Sequence, residues 1–254
     1  MLDNHGIRQN CEMTQNTKEA EHASSEPVVA IVVAAGSGVR LGDSTVGGSG
    51  PKALRRLSDV PLLRHSIDRL VAGGVGSIIV VARPEFQEQM RATLAGVEVP
   101  ITVTDGGATR TDSVRSGLRV LQGSPAVVLV HDAARPLVPP EVVSRVIAAV
   151  RSGSTTVIPV ISLIDSVRAV EGDASRVVDR SGLRAVQTPQ GFDGATLIDA
   201  YDRLSGTEVF TDDASVCEAA GAHVRLVEGS VLSMKITRPH DFLFAEALLQ
   251  AGLA

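Results

Sequence analysis

Four stretches of the chain carry residue types suited to one kind of chemistry. The first, Ala34-Ala35-Gly36-Ser37-Gly38-Val39-Arg40, follows an apolar β-branched run and leads through a glycine-rich segment to Pro51-Lys52. Small residues let backbone N–H groups approach phosphate oxygens, and Arg40 and Lys52 add positive charge to the same anion. The loop is not a dinucleotide fingerprint, because the third glycine position of GxGxxG falls on Leu41. It is not a Walker loop either, because Ala53 follows Lys52 and leaves no hydroxyl for magnesium. The second stretch, Asp105-Gly106-Gly107-Ala108-Thr109-Arg110-Thr111-Asp112-Ser113, sets two glycines beside a helix start, where backbone groups and Ser113 can hold a flat base. In the third, His131-Asp132-Ala133-Ala134-Arg135-Pro136, Asp132 is placed to hold Mg²⁺ and Arg135 to meet a phosphate, while His131 reads as a packing residue. Lys235 is the fourth feature, one of only three lysines (18, 52 and 235) against 21 arginines.

Cations, a glycine loop and one aspartate make a phosphate and metal site, with no Ser–His–Asp set and no paired histidine ligands. Such a site suits attack on a nucleoside triphosphate by a group that needs no general base. A substrate phosphate is already ionised at neutral pH, so positioning and charge neutralisation supply most of the catalysis. Nucleotidyl transfer to a phosphate monoester follows.

The elements that must position these residues alternate. Val28–Ala34 reads as a buried strand and Pro61 opens an amphipathic helix that Gly73-Gly74 closes. Strands are expected at 77–82, 99–103 and 126–130, with helices from Pro84 to Leu94, Thr111 to Leu121 and Pro139 to about Gly153. Strands this apolar have no wet face, so the fold class is α/β: a Rossmann-like, mostly parallel sheet with helices on both faces. Ligands of such sheets collect at the carboxyl ends of the strands, where all of these loops fall. The rhythm breaks between Thr156 and Gly191, where VRAV, Glu171-Gly172-Asp173 and RVVD read as a β-hairpin. Its apolar residues need cover, so residues 162–187 are expected to form an arm that pairs two copies into a homodimer. Helices at 194–204 and 212–220, strand-like pieces at 224–227 and 234–236, and a closing helix at 239–249 complete a single domain over 28–254.

Composition excludes other classes. Of 254 residues, 44% are apolar, yet no apolar run approaches the ~20 residues that span a bilayer. Residues 1–27 are polar, lack the basic and apolar regions of a secretory signal, and read as a disordered tail, so a cytoplasmic location is expected. The net charge of −5, the absence of Trp and the single Tyr201 argue against nucleic acid as a partner. Cys11 and Cys217 cannot build a disulfide framework or a four-ligand zinc site.

The first motif, with Pro51-Lys52, resembles the signature of nucleotide-diphospho-sugar-type nucleotidyltransferases. Together with the GGATRTDSV segment from Gly106, HDAARP from His131, Val178-Asp179-Arg180, Gln187-Thr188-Pro189-Gln190, TDDAS from Thr211 and MKIT from Met234, the chain resembles the 2-C-methyl-D-erythritol 4-phosphate cytidylyltransferase family from about Val28 onward. The resemblance implies CTP and methylerythritol phosphate as substrates and a divalent cation, Mg²⁺, as cofactor. It implies catalytic roles for Arg40 and Lys52, a triphosphate wrapped by the backbone of Ala34, Ala35, Gly36, Ser37 and Gly38, and nucleoside contacts from Gly107 and Ser113. It further implies substrate contacts from Asp132 (also the residue near the metal), Arg135, Ser166, Arg180 and Lys235, with Arg180 reaching the substrate of the neighbouring subunit. Three departures stand out: eleven residues separate Arg40 from Lys52, Ala108 stands where an acidic residue is often found, and Ser166 replaces Thr. Two other readings are a cytidylyltransferase for another polyol phosphate such as ribitol 5-phosphate, and a nucleotide-sensing module without turnover.

Overall fold

The computed structural model describes residues 28–36, 50–123, 125–205 and 210–254. The tail at 1–27 and the predicted loop residues Ser37, Gly38 and Arg40 lie outside the described residues. Val29–Val33 forms β1, whose side chains alternate between two layers as strand geometry requires. Ala30 and Val32 join one core cluster with helix α1 (Leu62–Ala72) and helix α4 (Pro140–Arg151), while Val29 and Ile31 join a second on the opposite face. That second cluster is closed by α3 (Arg110–Arg119), α5 (Gly194–Asp202) and α6 (Asp213–Ala219). Both faces of the sheet are therefore covered, which is why β1 is apolar on both sides.

Strand β1 lies centrally, parallel to β4 (Ser77–Ala82) on one side and to β6 (Val128–Asp132) on the other; β5 (Ile101–Asp105) runs parallel beyond β4. Between β1 and β4 the chain makes the small β2–β3 hairpin (Arg56–Leu57, Val60–Pro61), and α2 (Gln87–Thr93) links β4 to β5. On the far side, β7 (Thr156–Ser162) pairs parallel with β12 (Val224–Glu228) and antiparallel with β10 (Arg184–Val186) and β11 (Gln190–Phe192), and β11 joins β7 to β6. The result is an eight-stranded, mostly parallel sheet. Helix α3 approaches β1 closely: a Cβ at Gly117 would lie 2.7 Å from Ile31 Cγ2, so only glycine fits where the helix crosses the strand.

Two strands end later than the sequence predicts. Pairing runs on to Ala82 opposite Asp105 and Val33 opposite Asp132, because polar residues at the functional ends keep their ladder partners although their side chains read as loop. The strand Thr156–Ser162 is missing from the sequence reading because Pro159 interrupts it. Here the proline gives up only a donor, and its carbonyl still accepts from Gln187 N–H at 2.9 Å. Met234–Ile236, expected as a strand, joins no ladder; it is extended chain after a 3₁₀ turn at Val231–Ser233, fixed by Ile236 N–H donating to Ala134 O. Helix α7 (Pro239–Gln250) then packs Phe242 and Ala245 with Ile236, Leu57 and Leu62 in a third cluster.

The expected hairpin is present as β8 (Val167–Glu171) and β9 (Ala174–Val178), a two-stranded sheet separate from the main one. Its apolar side chains Val170 and Val177 are 72% and 65% exposed, and Ile164 at its base is 81% exposed.

Candidate functional site

The strand order β6–β1–β4–β5 brings four carboxyl-terminal loops side by side around a cavity of about 440 Å³, within the range of small-molecule sites. Eight predicted residues line it: Ala34, Ala35, Gly36, Lys52, Gly107, Ser113, Asp132 and Lys235. The β5–α3 loop holds its shape through its own side chains. Thr109 caps α3 in a reciprocal box with Asp112, and Ser113 Oγ accepts from Gly107 N–H at 3.1 Å while donating to Thr109 O at 2.9 Å. A Cβ on Gly107 would collide with Asp112, so the loop can fold this tightly only without one.

Asp132, at the end of β6, is the electrostatic centre. Its Oδ2 pairs with Lys235 Nζ at 2.6 Å and its Oδ1 with Arg110 Nε at 3.2 Å. Burial alone would favour the protonated acid, but Arg110 and then Lys235 hold the carboxyl well below the usual carboxylate range. Arg110 also meets the fully buried Asp213 at 2.8 Å, and Asp213 Oδ1 accepts from Tyr201 OH at 2.7 Å. Burial works against the Arg110 charge, yet Asp213 and Asp132 raise its pKa further. Burial, with Asp213 next to it, likewise lifts the Tyr201 phenol and keeps it protonated. Gln190 completes the support, its Oε1 accepting from Asp213 N–H at 3.1 Å and Ala214 N–H at 3.0 Å.

Behind Asp132 the β6 loop is locked. His131, fully buried, is read as Nε2-protonated because that nitrogen faces the Arg135 carbonyl at 3.2 Å; Nδ1 then accepts from Thr188 Oγ1 at 3.0 Å. Thr188 Oγ1 in turn accepts from Asp132 N–H at 3.1 Å. Burial lowers the His131 pKa to about 4, which makes it the neutral packing residue expected. Arg135 does not line the cavity. Its guanidinium donates to Ser233 O at 2.6 Å and to Val186 O at 3.3 Å, clamping the segment that carries Lys235, and burial lowers its pKa. Lys52 Nζ donates to Ile236 O at 2.9 Å, so both body lysines meet the same stretch of chain. Ser166 and Arg180 are exposed on the arm, outside this cavity; Arg180 donates to Leu163 O at 2.7 Å.

Arg110 and Asp213 are the residues of this network to which the sequence reading gave no role. Arg110 stands inside the quoted segment from Gly106, where the sequence reading gives it no role. Asp213 stands in the quoted TDDAS segment beside Asp212, which caps α6 by accepting from Ser215 N–H at 3.0 Å. Among the described residues no group of three or more His, Cys, Asp or Glu could hold a metal, and Asp132 is the one acidic residue lining the cavity. That donor set cannot cage a cation by itself. It fits Mg²⁺ only in the common mode where phosphate oxygens and water supply most ligands and the protein one carboxylate. No helix among the described residues is long and apolar enough to cross a membrane.

A family model described as IspD: 2-C-methyl-D-erythritol 4-phosphate cytidylyltransferase matches residues 28–251. Proteins bearing that enzyme name are similar over most of the chain. The one from Frankia casuarinae is 47% identical over 89% of this chain and 82% of its own, and the one from Streptomyces coelicolor 44% identical over 87% and 84%. Among solved structures, 4-diphosphocytidyl-2C-methyl-D-erythritol synthase from Anaerococcus prevotii superposes with a TM-score of 0.76 at 27% identity, over 89% of this chain and 99% of that one. The Thermus thermophilus cytidylyltransferase gives 0.70 at 35%, over 88% and 99%.

The locked histidine sets a pH dependence. With a folded pKa of about 4 against 6.5 unfolded, the unfolded chain binds more protons between those values, so stability falls as pH drops from about 6.5 to 4. Across that window the loss from this group is about 3 kcal/mol. Urea unfolding at pH 7, 5.5 and 4.5 is expected to show this slope, and His131→Gln to flatten it. An equal slope in the variant would assign the acid sensitivity elsewhere.

Proposed function

The chain belongs to the 2-C-methyl-D-erythritol 4-phosphate cytidylyltransferase family, and from that premise we propose how its cavity performs the reaction. The enzyme is a CTP-dependent nucleotidyltransferase that transfers CMP from CTP to 2-C-methyl-D-erythritol 4-phosphate, forming 4-diphosphocytidyl-2-C-methyl-D-erythritol and pyrophosphate in the non-mevalonate isoprenoid pathway. The observation that supports the site assignment is the convergence of Lys52, Lys235, Asp132, the Gly36 turn and the Gly107 loop on one cavity.

The base lies at the Gly107 and Ser113 end, and the triphosphate runs toward the backbone of Ala34 to Gly36. The methylerythritol phosphate sits near Asp132 and Lys235, with one phosphate oxygen in line with the α-phosphorus and the departing pyrophosphate. The nucleophile is already ionised, so no general base is needed. The neutral His131, bonded at both ring nitrogens, fits a reaction in which it abstracts nothing. Lys52, with Arg40 as a second cation on the loop, neutralises the charge that develops at the α-phosphate and on the leaving group. Lys235 draws the incoming phosphate, while Arg135 holds the Lys235 segment at the correct depth. Mg²⁺, bound through triphosphate oxygens and Asp132, would supply further charge neutralisation of the triphosphate.

Residues 28–254 act as one catalytic unit, working as a cytoplasmic homodimer that binds neither nucleic acid nor membrane. The arm covers Val170 and Val177 against a second copy, and Ser166 and Arg180 serve that copy's substrate. The exposure of these residues, and the lining of their own cavity by others, support this arrangement.

Purified protein with Mg²⁺, each of the four ribonucleoside triphosphates, and methylerythritol phosphate or ribitol 5-phosphate is expected to release pyrophosphate only from CTP with methylerythritol phosphate. Preference for ribitol 5-phosphate would change the acceptor, and silence with every pair would remove the activity. A mixture of Lys52→Ala and Arg180→Ala chains, each impaired alone by orders of magnitude, is expected to recover activity through mixed dimers. No recovery would place the arm in its own subunit's site.

A further inference from the structure

The segment Gln187-Thr188-Pro189-Gln190 carries three buried polar side chains, and each reaches a different part of the site. Thr188 holds the loop of Asp132, and Gln190 holds the start of α6, which carries Asp213. The third is Gln187. It stands where the arm returns to the sheet, directly after β10, and its backbone N–H donates to Pro159 O of β7 at 2.9 Å.

In β7, Val160 has Val186 of β10 on one side and Glu228 of β12 on the other. The β12 ladder ends there, followed by one backbone bond from Gly229 N–H to Val160 O at 2.9 Å. At the next residue the Gln187 amide takes over. Its Nε2–H donates to Ser230 O at 2.8 Å and its Oε1 accepts from Ser230 N–H at 3.0 Å, the pair of bonds that facing residues of an antiparallel ladder exchange. A carboxamide can do this because it offers a donor and an acceptor side by side, as a peptide group does. Gly229 belongs to the same contact, since a Cβ there would collide with Gln187 Oε1.

Ser230 opens the stretch of chain that leads to Lys235. Its carbonyl also accepts from Ser233 N–H at 3.0 Å, Ser233 O takes the Arg135 guanidinium, and Ile236 N–H donates to Ala134 O. Lys235 is therefore carried between a fixed point at Ile236 and a fixed point at Ser230, and at Ser230 the clamp is one buried side chain. We propose that Gln187 is a positioning residue for the acceptor phosphate: its amide fixes Ser230 and, through it, the depth at which Lys235 enters the cavity. From this backbone position Lys235 Nζ reaches Asp132 Oδ2 at 2.6 Å, and a shift of the stretch moves the charge that draws the phosphate. Lys52 meets the stretch at its other end, through Ile236 O, so the CTP side of the cavity keeps its geometry when Ser230 is released. The assignment rests on reading Lys235 as the contact for the acceptor phosphate.

The test is steady-state pyrophosphate release by the wild type, Gln187→Met and Gly229→Ala, with the KM for methylerythritol phosphate and the KM for CTP measured separately. Methionine keeps the volume of Gln187 and removes both bonds to Ser230; alanine at 229 leaves Gln187 in the chain and pushes its amide off the same contact. Inactive molecules in a preparation lower the apparent kcat but move neither KM, so a purely structural loss is told apart from misplacement. The expected result in both variants is a KM for methylerythritol phosphate raised about tenfold or more, as misplacement of a substrate-positioning group by a fraction of an ångström to 1 Å implies. The KM for CTP is expected to stay within about twofold of the wild type. Unchanged KM values for both substrates, an equal rise in both, or a rise confined to Q187M would overturn the assignment. G229A decides the case where Q187M does not fold. A wild type that turns over CTP with ribitol 5-phosphate in place of methylerythritol phosphate, or with neither, would fail earlier, at the reading of the acceptor site, and the proposal would fall with it.

Discussion

The site depends on one carboxylate that is buried and kept charged. Asp132 stands buried at the end of β6, opposite Val33 of β1, where an unpaired anion would be costly. Arg110 and Lys235 remove that cost by occupying one oxygen each. The three residues come from a strand end, a helix start and an extended segment far apart in sequence, so satisfying the charge fixes the relative positions of all three. Arg110 passes the constraint on to Asp213 and Tyr201, tying the cavity to the packing of α5 and α6.

This arrangement explains how a site made of loops can be rigid. The β6 loop is pinned from below by His131 and Thr188, and the Lys235 segment by Arg135, Ala134 and Lys52. Preorganised charge of this kind is effective for phosphoryl chemistry, because little reorganisation remains when the transition state forms. The two cavity lysines are held in place before any substrate arrives, Lys52 by the Ile236 carbonyl and Lys235 by Asp132.

Much of this was legible in the sequence where a residue's type dictated its place. The glycines at 36 and 107, the apolar runs of β1 and β4, and the lysines at 52 and 235 each carry a local signal, and all fall where that signal indicates. The hairpin at β8–β9 was legible for the same reason, since Glu171-Gly172-Asp173 can hardly be anything but a turn. What escaped was set by tertiary partners. Strand β7 contains a proline that only its particular ladder tolerates, and Met234–Ile236 looks like a strand but is captured by the β6 loop. Arg135 has the residue type of a phosphate ligand, yet two backbone carbonyls take its guanidinium. Nothing local to Asp213 reveals that Arg110 and Tyr201 reach it.

The central claim is that the Arg110–Asp132 pair works as a unit that holds the site together. A double-mutant cycle with Arg110→Met and Asp132→Asn, read as unfolding free energy in urea, tests it most directly. The account predicts that the double variant loses less than the sum of the two single losses, with a coupling energy above about 1 kcal/mol, because the Arg110–Asp132 attraction is lost in each single change but only once in the double, whereas the losses at Asp213 and Lys235 add. Losses that add to within about 0.5 kcal/mol would show two independent residues and contradict it.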